Sequence, residues 1–277
     1  MSAADGTVGA TVKVVDNGPE ALRWDLVIVG DGYRAAELPL FRDDVERFSA
    51  EVFKPTPPFD KLWPAINIHR IEVTSTDSGA DNPCNPGAVT ARTFFDASFC
   101  APPWKIPRLL TVNNSLVRQV ADAVPLRNAI LVLVNVGDRG GSGDPGIAVS
   151  SNSYVDDIGL HELAHSGFGL ADEYEDGEVG GSEPREPNVT RDPNRATNKW
   201  RTLVKTTTPM PTSCNDGCPD CRPQADAPAD AVGAYEGARY QRCGTYRPFP
   251  DCYMRAIHEF CPVCAQAIQQ TLAPFLP

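Results

Sequence analysis

Histidine is scarce in this chain, basic residues are in deficit, and long apolar runs are missing. No stretch reaches the roughly 18 consecutive apolar residues of a membrane-spanning helix. Lys and Arg number 25 against 36 Asp and Glu, a formal net charge of −11 over 277 residues. That balance argues against nucleic-acid binding, which needs a basic face to release counterions from phosphates. The opening residues, Met1-Ser-Ala-Ala-Asp-Gly6, carry neither the basic n-region nor the apolar h-region of a secretory signal. Hydrophobic residues make up 42% of the chain, which suffices for a buried core and excludes wholesale disorder. With only 4 His but 9 Cys, the placement of these few side chains is the most informative feature.

The first half alternates strand and helix signals. Trp24-Asp-Leu-Val-Ile-Val29 is a buried strand ending in the turn Gly30-Asp-Gly32. From Arg34 to Val52 the apolar residues recur at helical spacing, and Pro55-Thr-Pro-Pro58 stops that helix. Ala65 to Val73 alternates as a second strand, and the Gly-, Pro- and Asn-rich stretch 75–107 is expected to be a surface loop. A short strand at 108–112, a helix at 115–124 and a buried strand at 129–136 follow. After the loop 137–145 come a strand at 147–150 and a helix at 156–168. Residues 172–260 show little periodicity, and a last helix is expected near 262–272. This order predicts an α+β protein with an α/β-like first half, organised as one domain of residues 1–277. Its N-lobe covers about 20–170, with a mixed sheet and the central helix at 156–168; its irregular C-lobe covers about 171–277.

The helix at 156–168 carries His161-Glu162-Leu-Ala-His165. Positions i and i+4 share a helix face, so both imidazoles reach one ion. Glu162 then stands beside the open coordination position, where a carboxylate can deprotonate a zinc-bound water and later protonate the leaving amine. This is the H-E-x-x-H pattern of zinc peptidases. A catalytic zinc needs a third protein ligand. Ser166-Gly-Phe-Gly-Leu-Ala-Asp172-Glu173-Tyr174 follows, and Gly167 and Gly169 allow the chain to turn back. Asp172 is the favoured ligand and Glu173 its rival. The tetrahedral intermediate also requires a donor, for which Tyr174, Tyr235, Tyr246 and Arg255 are candidates, Tyr246 and Arg255 foremost.

The arrangement resembles the metzincins, although Asp172 comes one residue later than their usual third ligand. That resemblance makes Met254, in Asp251-Cys-Tyr-Met-Arg255, the candidate Met-turn. The segment His161 to Tyr174 is similar to the signature of the bacterial IgA-specific metalloendopeptidase family. Ile28-Val-Gly-Asp-Gly-Tyr33, Asn67 to Val73, Ser78-Gly-Ala-Asp81, Tyr235-Glu-Gly-Ala238, Tyr246-Arg-Pro248, Cys252-Tyr-Met-Arg255 and Phe260-Cys-Pro-Val-Cys264 extend the likeness along the chain. The resemblance implies a zinc endopeptidase fold with Met-turn and final helix, a peptide or protein substrate, and a secreted or cell-envelope location. It does not imply that immunoglobulin is the substrate. The absence of a signal pattern points instead to the cytoplasm.

Other chemistries compete. Gly30-Asp-Gly-Tyr-Arg-Ala35 matches the G-x-G-x-x-A dinucleotide fingerprint, so a nucleotide-binding oxidoreductase is the rival enzyme. The breaker Lys54-Pro-Thr-Pro-Pro58 occupies the place where that fingerprint wants an acidic strand end. A non-catalytic, zinc-stabilised binding module is the rival outside enzymology. Gly140-Gly-Ser-Gly143 lacks nucleophile-elbow spacing, and is expected instead to line an edge strand open to an extended substrate. Cys218, Cys221, Cys261 and Cys264 form two C-x-x-C pairs, fit for either a second, structural zinc or disulfides. Subsite specificity and oligomeric state are not encoded in any motif of this sequence.

Overall fold

In the computed structural model, described for residues 5–103, 105–178, 181–219, 221 and 230–277, the chain divides into two units at the end of the metal helix. The first runs up to Gly167 and takes in Leu272–Pro277; the second is Phe168–Thr271.

Apolar, β-branched runs build the first unit. Its elements are β1 (Gly6–Val15), β2 (Trp24–Asp31), α1 (Leu38–Arg47), α2 (Phe59–Leu62), β3 (Ile66–Ser75), β4 (Ser98–Phe99), β5 (Leu110–Thr111), α3 (Asn114–Ala121), β6 (Ala129–Val134), β7 (Gly141–Asp144), β8 (Ile147–Ser151) and α4 (Leu160–Phe168). Six strands form one sheet in the order β1-β3-β2-β6-β8-β7. The four interior strands are parallel, and β1 and β7 run antiparallel at the edges. β2, β6 and β8 are buried along their whole length, as parallel strands covered on both faces require. The mixed α+β class expected from the sequence is thus observed.

Three local expectations change. The helix predicted from Arg34 is regular only over α1 and continues as a π-helical turn, Phe48–Phe53. Edge strand β1 is an addition to the expected elements: Val8, Ala10, Val12 and Val14 alternate with Thr7, Gly9, Thr11 and Lys13, but the valines are exposed, Val8 to 48%. The stretch 75–107 is not a surface loop throughout. Phe94, Phe95, Ala97 and Phe99 are buried in the core, and Cys84 is disulfide-bonded to Cys100. Burial of three aromatic rings outweighs the turn-forming composition around them.

The Gly30-Asp-Gly32 turn serves that same loop. The carboxylate of buried Asp31 accepts hydrogen bonds from Ser75 Oγ (3.0 Å), Phe95 N (3.1 Å) and Ala97 N (3.2 Å). Burial pushes the Asp31 carboxyl above its usual range. Gly32 has φ +70°, and a Cβ there would lie 2.1 Å from Gly79 O. Both glycines and the acid between them are therefore explained by internal packing, not by a pyrophosphate.

The second unit contains β9 (Glu175–Glu178), β10 (Tyr235–Ala238), β11 (Tyr240–Arg247), α5 (Tyr253–Ala256) and most of α6 (Pro262–Leu272). The three strands form a sheet, order β10-β11-β9, inside a region expected to be irregular. One of its buried clusters is built from Cys218, Cys221, Ala234 and Tyr246 and another from Ala171, Val189 and Ala238. Disulfides Cys214–Cys221 and Cys218–Cys243 lock the first. Cys218 and Cys221 are therefore not partners of Cys261 and Cys264 in a zinc site; C-x-x-C spacing carries no information about which thiols fold together.

Replacing Asp31 with Ala leaves the buried Phe95 N–H without its acceptor, while Ala97 N keeps Thr93 Oγ1 at 2.9 Å, a loss of roughly 1–3 kcal/mol in folding stability. Urea unfolding monitored by circular dichroism measures it; a midpoint equal to wild type contradicts the role assigned to Asp31.

Candidate metal centre

Helix α4 sets His161 and His165 one turn apart on one face. Their Nε2 atoms lie 3.1 Å apart, with the rings nearly perpendicular at 89°. Two imidazoles on a tetrahedral zinc have nitrogens separated by about 3.3 Å, so the pair suits one ion without rearrangement. Both rings and Glu162 are half-buried, which leaves them reachable. The helix is tied down at its end, where Gly146 N donates to Ser166 O (3.2 Å).

Strand β7 packs against this turn. A Cβ at Gly143 would lie 3.1 Å from both Glu162 Oε2 and His165 Cβ, so a bare backbone lets the strand approach the two functional side chains. β7 is an edge strand, as expected, but its outer rim is not open along its length. Gly141 N donates to Arg108 O (3.2 Å) and Ser142 Oγ to Leu110 O (2.6 Å).

After α4 the chain turns at Gly169, whose φ is +65°, while Gly167 lies against the Trp24 ring. In the continuous stretch from 161 to 172, His161, His165 and Asp172 each offer a ligand atom within 4.8 Å of the others. Asp172 is 8% exposed. The Tyr240 hydroxyl donates to its Oδ2. Burial and the Asp172 charge push the Tyr240 phenol upward, so it keeps the proton it donates. Arg239 N donates to Asp172 O and Tyr240 N to Tyr174 O, both at 3.0 Å. Asn188, which the sequence presents as part of a common sequon, is fully buried. It holds Ala171 through both N–H and C=O at 2.8 Å.

Glu173 goes elsewhere. It is fully buried and joins Cys252, Cys261 and Cys264 in a separate group of donors, which removes it as a rival for the histidine pair. Burial pushes the Glu173 carboxyl and Cys264 thiol upward and Cys252 up to about 12. Cys261, hydrogen-bonded to both neighbouring thiols, is held down at about 5.

The remaining candidates are scattered through the second unit. Arg255 Nη1 donates to Glu173 O (3.1 Å), and Tyr246 is buried in the disulfide-linked core. Tyr235 OH donates to Ala231 O (2.8 Å), and Tyr174 stacks edge-on with Tyr240. Met254 is fully buried, and its carbonyl accepts from Glu173 N at 2.9 Å. The other two histidines are accounted for: His69 Nε2 lies 2.6 Å from Asp25 Oδ1 in the core, and exposed His258 sits beside Asp251. Tyr240 and Asn188 are the residues that sequence reasoning missed. Neither stands in a spacing pattern with the histidines; only the fold brings them to Asp172 and Ala171.

A family model described as IgA Peptidase M64 matches residues 12–222 and 220–272. The chain belongs to this family. It is therefore a metallopeptidase, and the M64 match runs through both the histidine helix and the cysteine-rich second unit. No curated protein sequence gives a significant match. Among the described residues no helix is long and apolar enough to cross a membrane. A carboxylate that is to hold a metal needs an orienting partner, and the Tyr240 hydroxyl stands in that position toward the candidate Asp172.

Tyr240→Phe removes the hydroxyl that orients Asp172, and Zn(II) affinity is expected to fall about 10–100-fold. Competition with a chromogenic chelator measures this; undiminished affinity would show that Tyr240 merely packs there.

Proposed function

We propose that this M64-family chain is a zinc endopeptidase in which His161, His165 and Asp172 hold the metal and Glu162 handles the proton. The observation that carries the reading is the gathering of two imidazole nitrogens and one buried carboxylate within 4.8 Å of one another. Two neutral nitrogens and one carboxylate match the donor preference of zinc, and three protein ligands leave a position for substrate. Bound zinc supplies Lewis acidity toward the scissile carbonyl.

The chain's own groups do the rest. Glu162 stands on the helix turn that carries both histidines, and the bare backbone of Gly143 passes beside its carboxylate. That carboxylate accepts a proton from the attacking water and delivers it to the leaving amine nitrogen, the two halves of one general acid–base cycle. Tyr240 holds the Asp172 carboxylate in one orientation through its hydroxyl. The metzincin likeness extends the reading to Met254 as a Met-turn; its full burial supports this. Tyr246 is less suited to stabilising an oxyanion because it is buried, and Arg255 because it already bonds Glu173 O.

The substrate class is peptide or protein. In this reading the whole chain is one catalytic domain, and it works in an oxidising compartment. Disulfides at Cys84–Cys100, Cys214–Cys221 and Cys218–Cys243 support that location.

Glu162→Gln keeps the metal ligands and removes the base. Cleavage of a diverse peptide library, read by mass spectrometry, is expected to fall about 10²–10⁴-fold with zinc content unchanged. Cleavage at the wild-type rate would refute the mechanism, and zinc without any cleavage by wild type would favour a binding module.

A further inference from the structure

Four buried donors in the second unit play no part in the peptidase chemistry. Cys252, Cys261, Cys264 and Glu173 each offer a ligand atom, all within 4.8 Å of one another. Cys252 Sγ and Cys264 Sγ lie 3.6 Å apart, and Cys264 Sγ lies 3.2 Å from Glu173 Oε1. On a tetrahedral zinc, with Zn–S near 2.3 Å and Zn–O near 2.1 Å, those edges measure about 3.8 Å and about 3.6 Å. The four atoms are thus close to the corners of such a site before any ion arrives. Glu173 Oε1 also accepts from Asn188 Nδ2 (2.9 Å), whereas Oε2 is buried with no hydrogen-bond partner. A buried carboxylate oxygen left without a donor is one that a cation can satisfy.

We propose that Cys252, Cys261, Cys264 and Glu173 form a second, closed zinc site with a structural role. Four protein ligands leave no open position, which separates it from the histidine centre. The ligand set, three thiolates and a carboxylate, carries four negative charges. A divalent ion removes two; the positive charge of Arg247 acts on the Glu173 carboxyl, and Arg255 Nη1 bonds the Glu173 carbonyl at 3.1 Å. Zinc binding releases whatever protons the thiols and carboxyl still hold, and no redox partner is needed.

The other cysteines strengthen the assignment. Six of the nine are paired in disulfides, and these three are the free thiols. Three thiols cannot all pair with one another, and conditions that oxidise the six would attack three exposed to the same redox environment. Zinc holds them as unoxidised thiolates. Glu236 lies near the disulfide sulfurs but makes no comparable site there, since those cysteines are bonded and its oxygens take Asn215 N and Gly244 N.

The site also fixes a turn. Cys252 is two residues before Met254, whose carbonyl accepts from Glu173 N, and Glu173 directly follows Asp172. An ion on Glu173 and Cys252 therefore clamps the Asp172 segment to α5. That consequence for catalysis rests on the peptidase reading, but the site itself does not.

Two measurements on the full chain test the site. Zinc per chain, by plasma mass spectrometry after gel filtration, is expected to be two for wild type and one for His161→Ala/His165→Ala. Cobalt(II) loaded into that double variant should give the near-ultraviolet absorption of thiolate-to-cobalt charge transfer. The second measurement needs no variant: wild type denatured with chelator and iodoacetamide, without reductant, should be alkylated at Cys252, Cys261 and Cys264. A metal-free double variant, or a Cys252–Cys264 disulfide in the peptide map, overturns the proposal. A double variant that keeps one zinc while wild type holds one zinc and cleaves nothing sinks the peptidase reading and leaves this site standing.

Discussion

Two neighbouring carboxylates enter two separate groups of donors, and hydrogen bonds within the second unit hold the short segment that carries them. Asp172 meets the Tyr240 hydroxyl and lies within ligand distance of the histidine pair. Glu173 lies among three thiols. Consecutive side chains on an extended backbone point to opposite sides, so one short segment can feed two centres. The segment has no ladder of its own to hold it. Asn188 brackets Ala171, Arg239 N and Tyr240 N bond the carbonyls of Asp172 and Tyr174, and Met254 O bonds Glu173 N. Small slips in any of these would rotate both acids at once.

The two units reach rigidity by different means. The first has a sheet whose strands β2, β6 and β8 are apolar and buried on both faces, and its precision at α4 comes from close packing such as Gly143 against Glu162 and His165. The second has short polar strands and a buried cluster of cysteines, alanine and tyrosine. Around that cluster, covalent links and, through the proposed second zinc, a metal add to the burial of side chains such as Trp200, Met254 and Ile268. Small disulfide- or metal-stapled regions follow this pattern.

Much of this was legible in the residues. The buried strands β2, β6 and β8 stand out as β-branched runs, and α6 falls where its periodicity ends. The candidate pair His161 and His165 declares itself because the helix repeat alone sets both on one face. What stayed hidden depends on long-range contact. Phe94, Phe95 and Phe99 lie in a Gly- and Pro-rich stretch whose local composition says loop, yet the core claims them. β1 alternates over Val8, Ala10, Val12 and Val14, yet those side chains are exposed, so the pattern marks an edge strand with no buried face. The cysteines mislead most: Cys218 and Cys221 stand in the same C-x-x-C pattern as Cys261 and Cys264, but only folding decides that one pair enters disulfides and the other meets Cys252 and Glu173. Tyr240 is invisible for the same reason, since its contact with Asp172 spans much of the second unit.

That the Asp172-Glu173 step divides two zinc centres is tested most directly by anomalous diffraction at the zinc edge, from crystals of the full chain grown without added chelator. Two peaks are expected, one in contact with His161, His165 and Asp172 and the other enclosed by Cys252, Cys261, Cys264 and Glu173. A single peak with Glu173 turned toward the histidines, or no peak between the three sulfurs, would contradict it.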